Sequence, residues 1–209
     1  MRVRYVRYGS SPGFGMSSVL VLITVNLLLF IITAIVSELR TFLWLQPVTV
    51  FSRPWTILTS MFIHGGFWHI FANMLTLYFF GSALSRLVGR GRFLFVYFCG
   101  GILGSIFYVV LTMLGGVFSI GFLGSPFMPV VGASGAIFAI AGTLVMMTPK
   151  LPVMIFPIPL PIPLWIAVIG GFLILSFLPG IAWQAHLGGL VLGLIAGSFF
   201  KGKQRYYYN

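Results

Sequence analysis

Gly132-Ala-Ser134-Gly135-Ala-Ile-Phe138-Ala-Ile-Ala-Gly142-Thr-Leu-Val-Met-Met147 is the stretch on which the fold turns. It is apolar almost throughout and closes at Pro149-Lys150. As a helix from Ser134 to Met147 it reaches only ~21 Å at ~1.5 Å per residue, against a bilayer core of ~30 Å. A helix that short has one end below the membrane surface.

Reading outward, further apolar runs fall at about 19–36, 67–84, 93–114, 164–178 and 185–200, each bounded by Gly, Pro or basic residues. With the run at 134–147 they make six helices. The fold class expected is an all-α polytopic membrane protein, one domain over 1–209, with a core at 19–200 and basic flanks at 1–18 and 201–209. Composition agrees: 59% of the chain is hydrophobic and 6% charged, far from an ordinary soluble domain. The run from Val19 to Val36 follows Arg2, Arg4 and Arg7 as a signal peptide would, but it exceeds a signal h-region and has no clean small-residue cleavage site. It reads as a retained first span.

Twelve Lys and Arg face one acid, Glu38, for a net charge of +11. Nucleic acid is not the partner this implies, because the cations lie between apolar runs and not on one soluble surface. With six spans the termini share a side, and Arg2, Arg4, Arg7, Arg86, Arg90, Arg92, Lys150, Lys201, Lys203 and Arg205 all fall on it, leaving Arg40 and Arg53 opposite. The positive-inside rule then places both termini in the cytoplasm of a multi-pass cell-membrane protein, with the second, fourth and sixth spans running from outside to inside. The basic tail with its three tyrosines reads as an interfacial anchor. Pro149 to Pro163 carries too many prolines for a helix and is expected as an extended cytoplasmic connector.

Polar groups at membrane depth are costly, so their positions are functional candidates. His64 and His69 open the second span, His186 the sixth and Ser134 the fourth, all from the outer side. Gly-Ala-Ser-Gly is either close helix packing or a serine whose hydroxyl, flanked by glycines at a helix N-terminus, meets substrate beside unsatisfied N–H groups. His186 is either a helix bridge or a base. Gly189, Gly193 and Gly197 follow it at spacing four, a smooth face expected to pack on Gly135, Ala139 and Gly142, which brings Ser134 and His186 together. His69 and Asn73 share a helix face, as a structural pair or as convergent site groups. His64 is expected to point elsewhere and to organise the loop by a hydrogen bond. One cysteine, Cys99, excludes an internal disulfide, and the few ligating residues argue against a metal. Aspartyl and zinc proteases need acids that Glu38 alone does not supply, and without Asp a serine protease here is a Ser-His dyad.

Together, His64-Gly-Gly-Phe-Trp-His69-Ile-Phe-Ala-Asn73-Met74, Gly132-Ala-Ser134-Gly135 and Ala185-His186-Leu-Gly-Gly189 resemble the three signature segments of the rhomboid intramembrane proteases. The resemblance implies a six-helix core with a submerged, water-filled site and no cofactor. It implies Ser134 as nucleophile and His186 as base. His69 and Asn73, with the Ser134 N–H and Gly132, would stabilise the oxyanion. It implies Phe138 stacked on His186, with His64, Gly135 and Gly189 in support. The fifth span and the loop from Pro179 to Gln184 would be the gate. The partners implied are the lipid bilayer and membrane-protein substrates cut near the outer face. Two positions depart from the family: its Trp-Arg pair is Trp55-Thr56, and the acid often ending the second span is Ser85. The missing arginine leaves the bracing of the first outer loop open, with Arg53 as a stand-in. Competing readings are a catalytically silent client-binding relative and a small transporter, the latter lacking midplane charges.

Overall fold

Residues 12–155, 158–176 and 178–205 are described by the computed structural model, with side chains over 17–154, 160–176 and 178–201. The N-terminal arginines and the tail tyrosines expected as cytoplasmic flank and anchor lie outside the described residues.

In chain order the elements are α1 Pro12–Ile35, α2 Ser37–Leu43, α3 Thr56–Thr59, α4 Phe67–Thr76, α5 Ser82–Val88, α6 Arg90–Phe118, α7 Ser134–Met147, β1 Pro152–Ile155, β2 Ile158–Pro163, α8 Leu164–Ser176 and α9 Trp183–Arg205. A π-helical turn over Leu77–Gly81 joins α4 to α5, so the two form one crossing from Phe67 to Val88. Four stretches are long and apolar enough to cross a bilayer, at 17–35, 67–88, 90–118 and 183–201, and α7 and α8 are shorter apolar helices. The polytopic all-α fold and its two short helices are therefore present as expected.

Several helices run beyond the apolar limits read from the sequence. Pro12 starts α1 because a first-turn proline gives up an N–H that has no helical acceptor. Arg90 and Arg92 lie in the first turn of α6, where long side chains reach the interface while their stems stay apolar. At the other end of α6, Ser119 turns left-handed (φ 56°) and Ile120 N–H returns to the Gly115 carbonyl, which stops the helix. The proline-rich connector is extended, as expected, but it also folds back on itself. β1 and β2 pair antiparallel, with Pro152 opposite Pro163 and Val153 opposite Ile162. The prolines remove ladder donors, and the register shifts between Val153 and Ile155, where Ile155 pairs with Ile158.

α7 is the central post. Ten of its fourteen residues are buried, as for a helix apolar all round. Its neighbours α6 and α9 approach at backbone distance. A Cβ at Gly189 would run into the Gly135 carbonyl, one at Gly193 into the Ala139 carbonyl, and one at Gly197 would lie 2.8 Å from the Thr143 carbonyl. From the other side a Cβ at Gly142 would be 2.9 Å from the Leu190 carbonyl. The partner predicted for the small-residue stripe is thus the one found. Thr143 Oγ1 ties the pair further, donating to Gly193 O at 3.1 Å. On α6, Gly104 faces the Ala185 carbonyl, where a Cβ would stand 2.7 Å away.

The segment over residues 44–66 lies against the strand-like stretch before α7. Leu45 and Val130 exchange N–H···O bonds of 3.2 and 2.8 Å, and Gly132 N–H donates to Ser60 O at 2.9 Å. Thr56, where the family pattern has arginine, is fully buried, its hydroxyl donating to Arg53 O at 2.6 Å. Arg53 Nη1 in turn reaches Thr41 O at 3.2 Å. Trp55 packs against Phe42 with the rings tilted by 33° and donates its indole N–H to the Phe42 carbonyl.

Candidate active site

Ser134 is the first residue of α7, so the first N–H groups of that helix, its own among them, have no acceptor within the helix. Gly132, two residues earlier, has φ +125°, a conformation that L side chains rarely adopt. His186 lies in the first turn of α9 and is 5% exposed. Its Nε2 is 2.9 Å from Ser134 Oγ. A hydroxyl donating to Nε2 requires the tautomer with hydrogen on Nδ1, and Nδ1 is buried without a hydrogen-bond partner. An orphaned polar atom at that position is a local cost of ~1–3 kcal/mol, the kind that collects at functional sites. The imidazole face is held instead by Phe138, whose ring stacks on it with centroids 4.5 Å apart and planes 28° apart. Phe172 on α8 meets Phe138 edge-on at 5.9 Å, a support that the sequence reading did not include.

His69 and Asn73 come from α4. His69 Nδ1 accepts the Gly65 N–H at 3.3 Å, which leaves the ring hydrogen on Nε2. That nitrogen faces Gly132: a Cβ there would be 2.7 Å from it. Asn73 Nδ2 donates to the His69 carbonyl at 2.8 Å, so the two residues are coupled through backbone as well as by sharing a face. Ser134, His186, His69 and Asn73 all line one cavity of about 390 Å³. It continues between α4 and α8 along Thr76, Phe80, Val168 and Leu175. Ile181 of the loop read as part of the gate lines it too.

His64 departs from its expected orientation. It does not point away: its ring meets His69 edge-on with centroids 5.1 Å apart. Helical spacing does not govern residue 64, because Gly65 and Gly66 turn the chain before α4 begins. Burial, and then the neighbouring His69, push its pKa down to about 3, so it stays neutral as a packing group. Gly135 and Gly189 are the backbone contact that sets the separation of α7 and α9 beside the Ser134–His186 pair. Gln184, two residues before His186, is 4% exposed and donates from Nε2 to Leu123 O at 2.9 Å, tying the loop after α6 to α9. Its burial was not readable from a lone amide in a loop. Among the described residues, no group of three or more His, Cys, Asp or Glu could hold a metal ion.

The arrangement sets a hydroxyl beside an imidazole nitrogen in a cavity that His69 and Asn73 also line. Comparison with known proteins points the same way. The family described as Rhomboid domain matches residues 52–203. Rhomboid protein 1, mitochondrial, of Saccharomyces cerevisiae is 31% identical over 173 residues, covering 76% of this chain and 45% of that protein. Putative rhomboid protease YdcA of Bacillus subtilis is 34% identical over 111 residues, half of each chain. Inactive RHOMBOID-like protein 8 of Arabidopsis thaliana is 41% identical over 56 residues, 27% of this chain and 16% of that one. The chain spans about half the length, or less, of these relatives.

Proposed function

We propose, from the premise that this chain belongs to the rhomboid family of intramembrane proteases, that it is a working serine endopeptidase with a Ser134–His186 dyad. The observation that carries the proposal is the 2.9 Å contact between Ser134 Oγ and His186 Nε2 in the lining of the cavity. His186 Nε2 takes the hydroxyl proton as Oγ attacks a peptide carbonyl, and charge develops on the carbonyl oxygen. The Ser134 N–H, His69 Nε2–H and the Asn73 amide hold that oxygen, and Gly132 leaves room for it because any side chain there would fill the cradle. Collapse of the tetrahedral adduct breaks the C–N bond, and His186 returns the proton to the leaving amine. Water entering through the cavity then hydrolyses the acyl-serine, with His186 again as base.

The substrate is the transmembrane segment of another membrane protein, locally unwound so that its amide is exposed to attack, reaching the site from the bilayer. The 1–209 chain acts as one membrane domain, with both termini in the cytoplasm and the site toward the outer face, as the distribution of cations supports. No cofactor, metal or nucleic acid enters the scheme.

The inactive relative gives the silent client-binding reading its one support. The two readings part on reactivity. Purified, detergent-solubilised protein is expected to react covalently with a fluorophosphonate probe; failure of folded protein to react, beside an active rhomboid that does, would favour the silent reading. A transporter would instead carry ion or solute flux after Ser134 is removed.

Asn73→Ala is expected to lower the cleavage rate ~10²-fold, the lower end of the usual loss for one oxyanion donor, because its amide is shared with the His69 carbonyl. Steady-state kinetics on a transmembrane peptide in proteoliposomes measures this, and an unchanged kcat removes Asn73 from the scheme.

A further inference from the structure

We propose that Arg40 is the positioning residue for His69, and this inference rests on the oxyanion role given to His69 above. Arg40 lies on α2, between the first two long apolar helices and far in sequence from every signature motif. It is half-buried, and its Nη2 donates to the Gly65 carbonyl at 3.3 Å. Gly65 is the residue whose N–H donates to His69 Nδ1. One residue is therefore held on both sides, by a cation at its carbonyl and by the imidazole at its amide.

That hold matters because Gly65 and Gly66 are adjacent glycines, the least restricted backbone available, and a Cβ at Gly66 would touch nothing within 4 Å. Left to itself, such a pair turns freely about its dihedrals. His64 meets His69 through ring packing alone, which fixes position without fixing the donor. The guanidinium supplies the directional contact on the carbonyl side. While Gly65 N–H stays on Nδ1, the His69 proton stays on Nε2, facing Gly132 and the serine. If Gly65 rotates away, the ring loses the contact that selects its tautomer. Arg53 serves the same end one step removed, since its bond to Thr41 O steadies the residue next to Arg40. In this chain, with Thr56 where the family has arginine, the brace to the oxyanion loop comes from α2.

The test is a kinetic cycle in proteoliposomes with a fluorogenic transmembrane peptide, comparing wild type, Arg40→Met, Arg40→Lys, His69→Ala and the double variant Arg40→Met/His69→Ala. Arg40→Met is expected to lower kcat about tenfold with KM and thermal midpoint unchanged, as for loss of one directional hydrogen bond felt only in the transition state. Arg40→Lys should recover part of that loss, and it carries the test if the methionine variant folds poorly. In the His69→Ala background the Arg40→Met change should move kcat less than twofold. Equal losses from Arg40→Met in both backgrounds, or a rise in KM at constant kcat, would overturn the Arg40 role and leave His69 in place. Wild-type kcat in His69→Ala would remove the oxyanion assignment itself, and the Arg40 inference with it.

Discussion

Ser134→Ala and His186→Ala are each expected to reduce cleavage of a transmembrane substrate by ~10⁴- to 10⁶-fold, the scale at which soluble serine proteases respond to loss of nucleophile or base. Both should also abolish covalent labelling by a fluorophosphonate. The effects are expected to be equal and not additive, because neither group acts without the other: the hydroxyl is a weak nucleophile until Nε2 takes its proton, and the base has nothing else to activate. Stability should move little in Ser134→Ala: Ser134 lines the cavity, so removing its hydroxyl leaves His186 Nε2 facing that space, and the Phe138 stack is untouched, whereas His186→Ala also loses the stack and should lower the thermal midpoint. The measurement is initial rate and probe labelling for the two single variants and the double, alongside a thermal midpoint for each. Cleavage that survives Ser134→Ala would end the serine-protease reading. A double variant far slower than either single would mean that the two residues act separately.

The sequence carried much of this site because membrane chemistry leaves few polar residues to choose among. Ser134, His186, His69 and Asn73 could be named from depth and helical spacing, and the structure brings all four to one cavity. The six-helix order was legible for the same reason, since hydropathy reads directly onto spans when lipid is the solvent. What escaped were features that depend on backbone geometry outside the helices. The turn through Gly65 and Gly66 carries His64 back onto His69, and no periodicity describes a loop of glycines. The bonds of Arg40 to Gly65 and of Gln184 to Leu123 join residues distant in sequence through carbonyls, which have no sequence signature. The hairpin over β1 and β2 was read only as extended, because proline content predicts strand-like dihedrals but not which strand is the partner.

Gly189→Ala is expected to have the second-largest effect, and to damage activity more than its loss of stability accounts for. The added methyl would run into the Gly135 carbonyl and lie 3.2 Å from the Gly135 Cα, so backbone must move; no side chain is there to rotate aside. Overpacking of this kind costs ~1–3 kcal/mol or more. The strain falls at the worst place for catalysis, since Gly135 follows Ser134 directly and Gly189 is three residues from His186, on the two helices whose separation sets the 2.9 Å contact. A shift of about 1 Å between reacting groups is enough to cost ~10²-fold in rate. Gly170→Ala is the control: it is on α8, a Cβ there would meet nothing within 4 Å, and alanine favours helix over glycine by ~1 kcal/mol. It should therefore fold as well as wild type or better. Thermal denaturation and cleavage rate for both variants separate the possibilities. If Gly189→Ala keeps wild-type stability and rate, α7 and α9 do not pack at backbone distance in the membrane, and the geometry of the dyad must be set by something other than this small-residue contact.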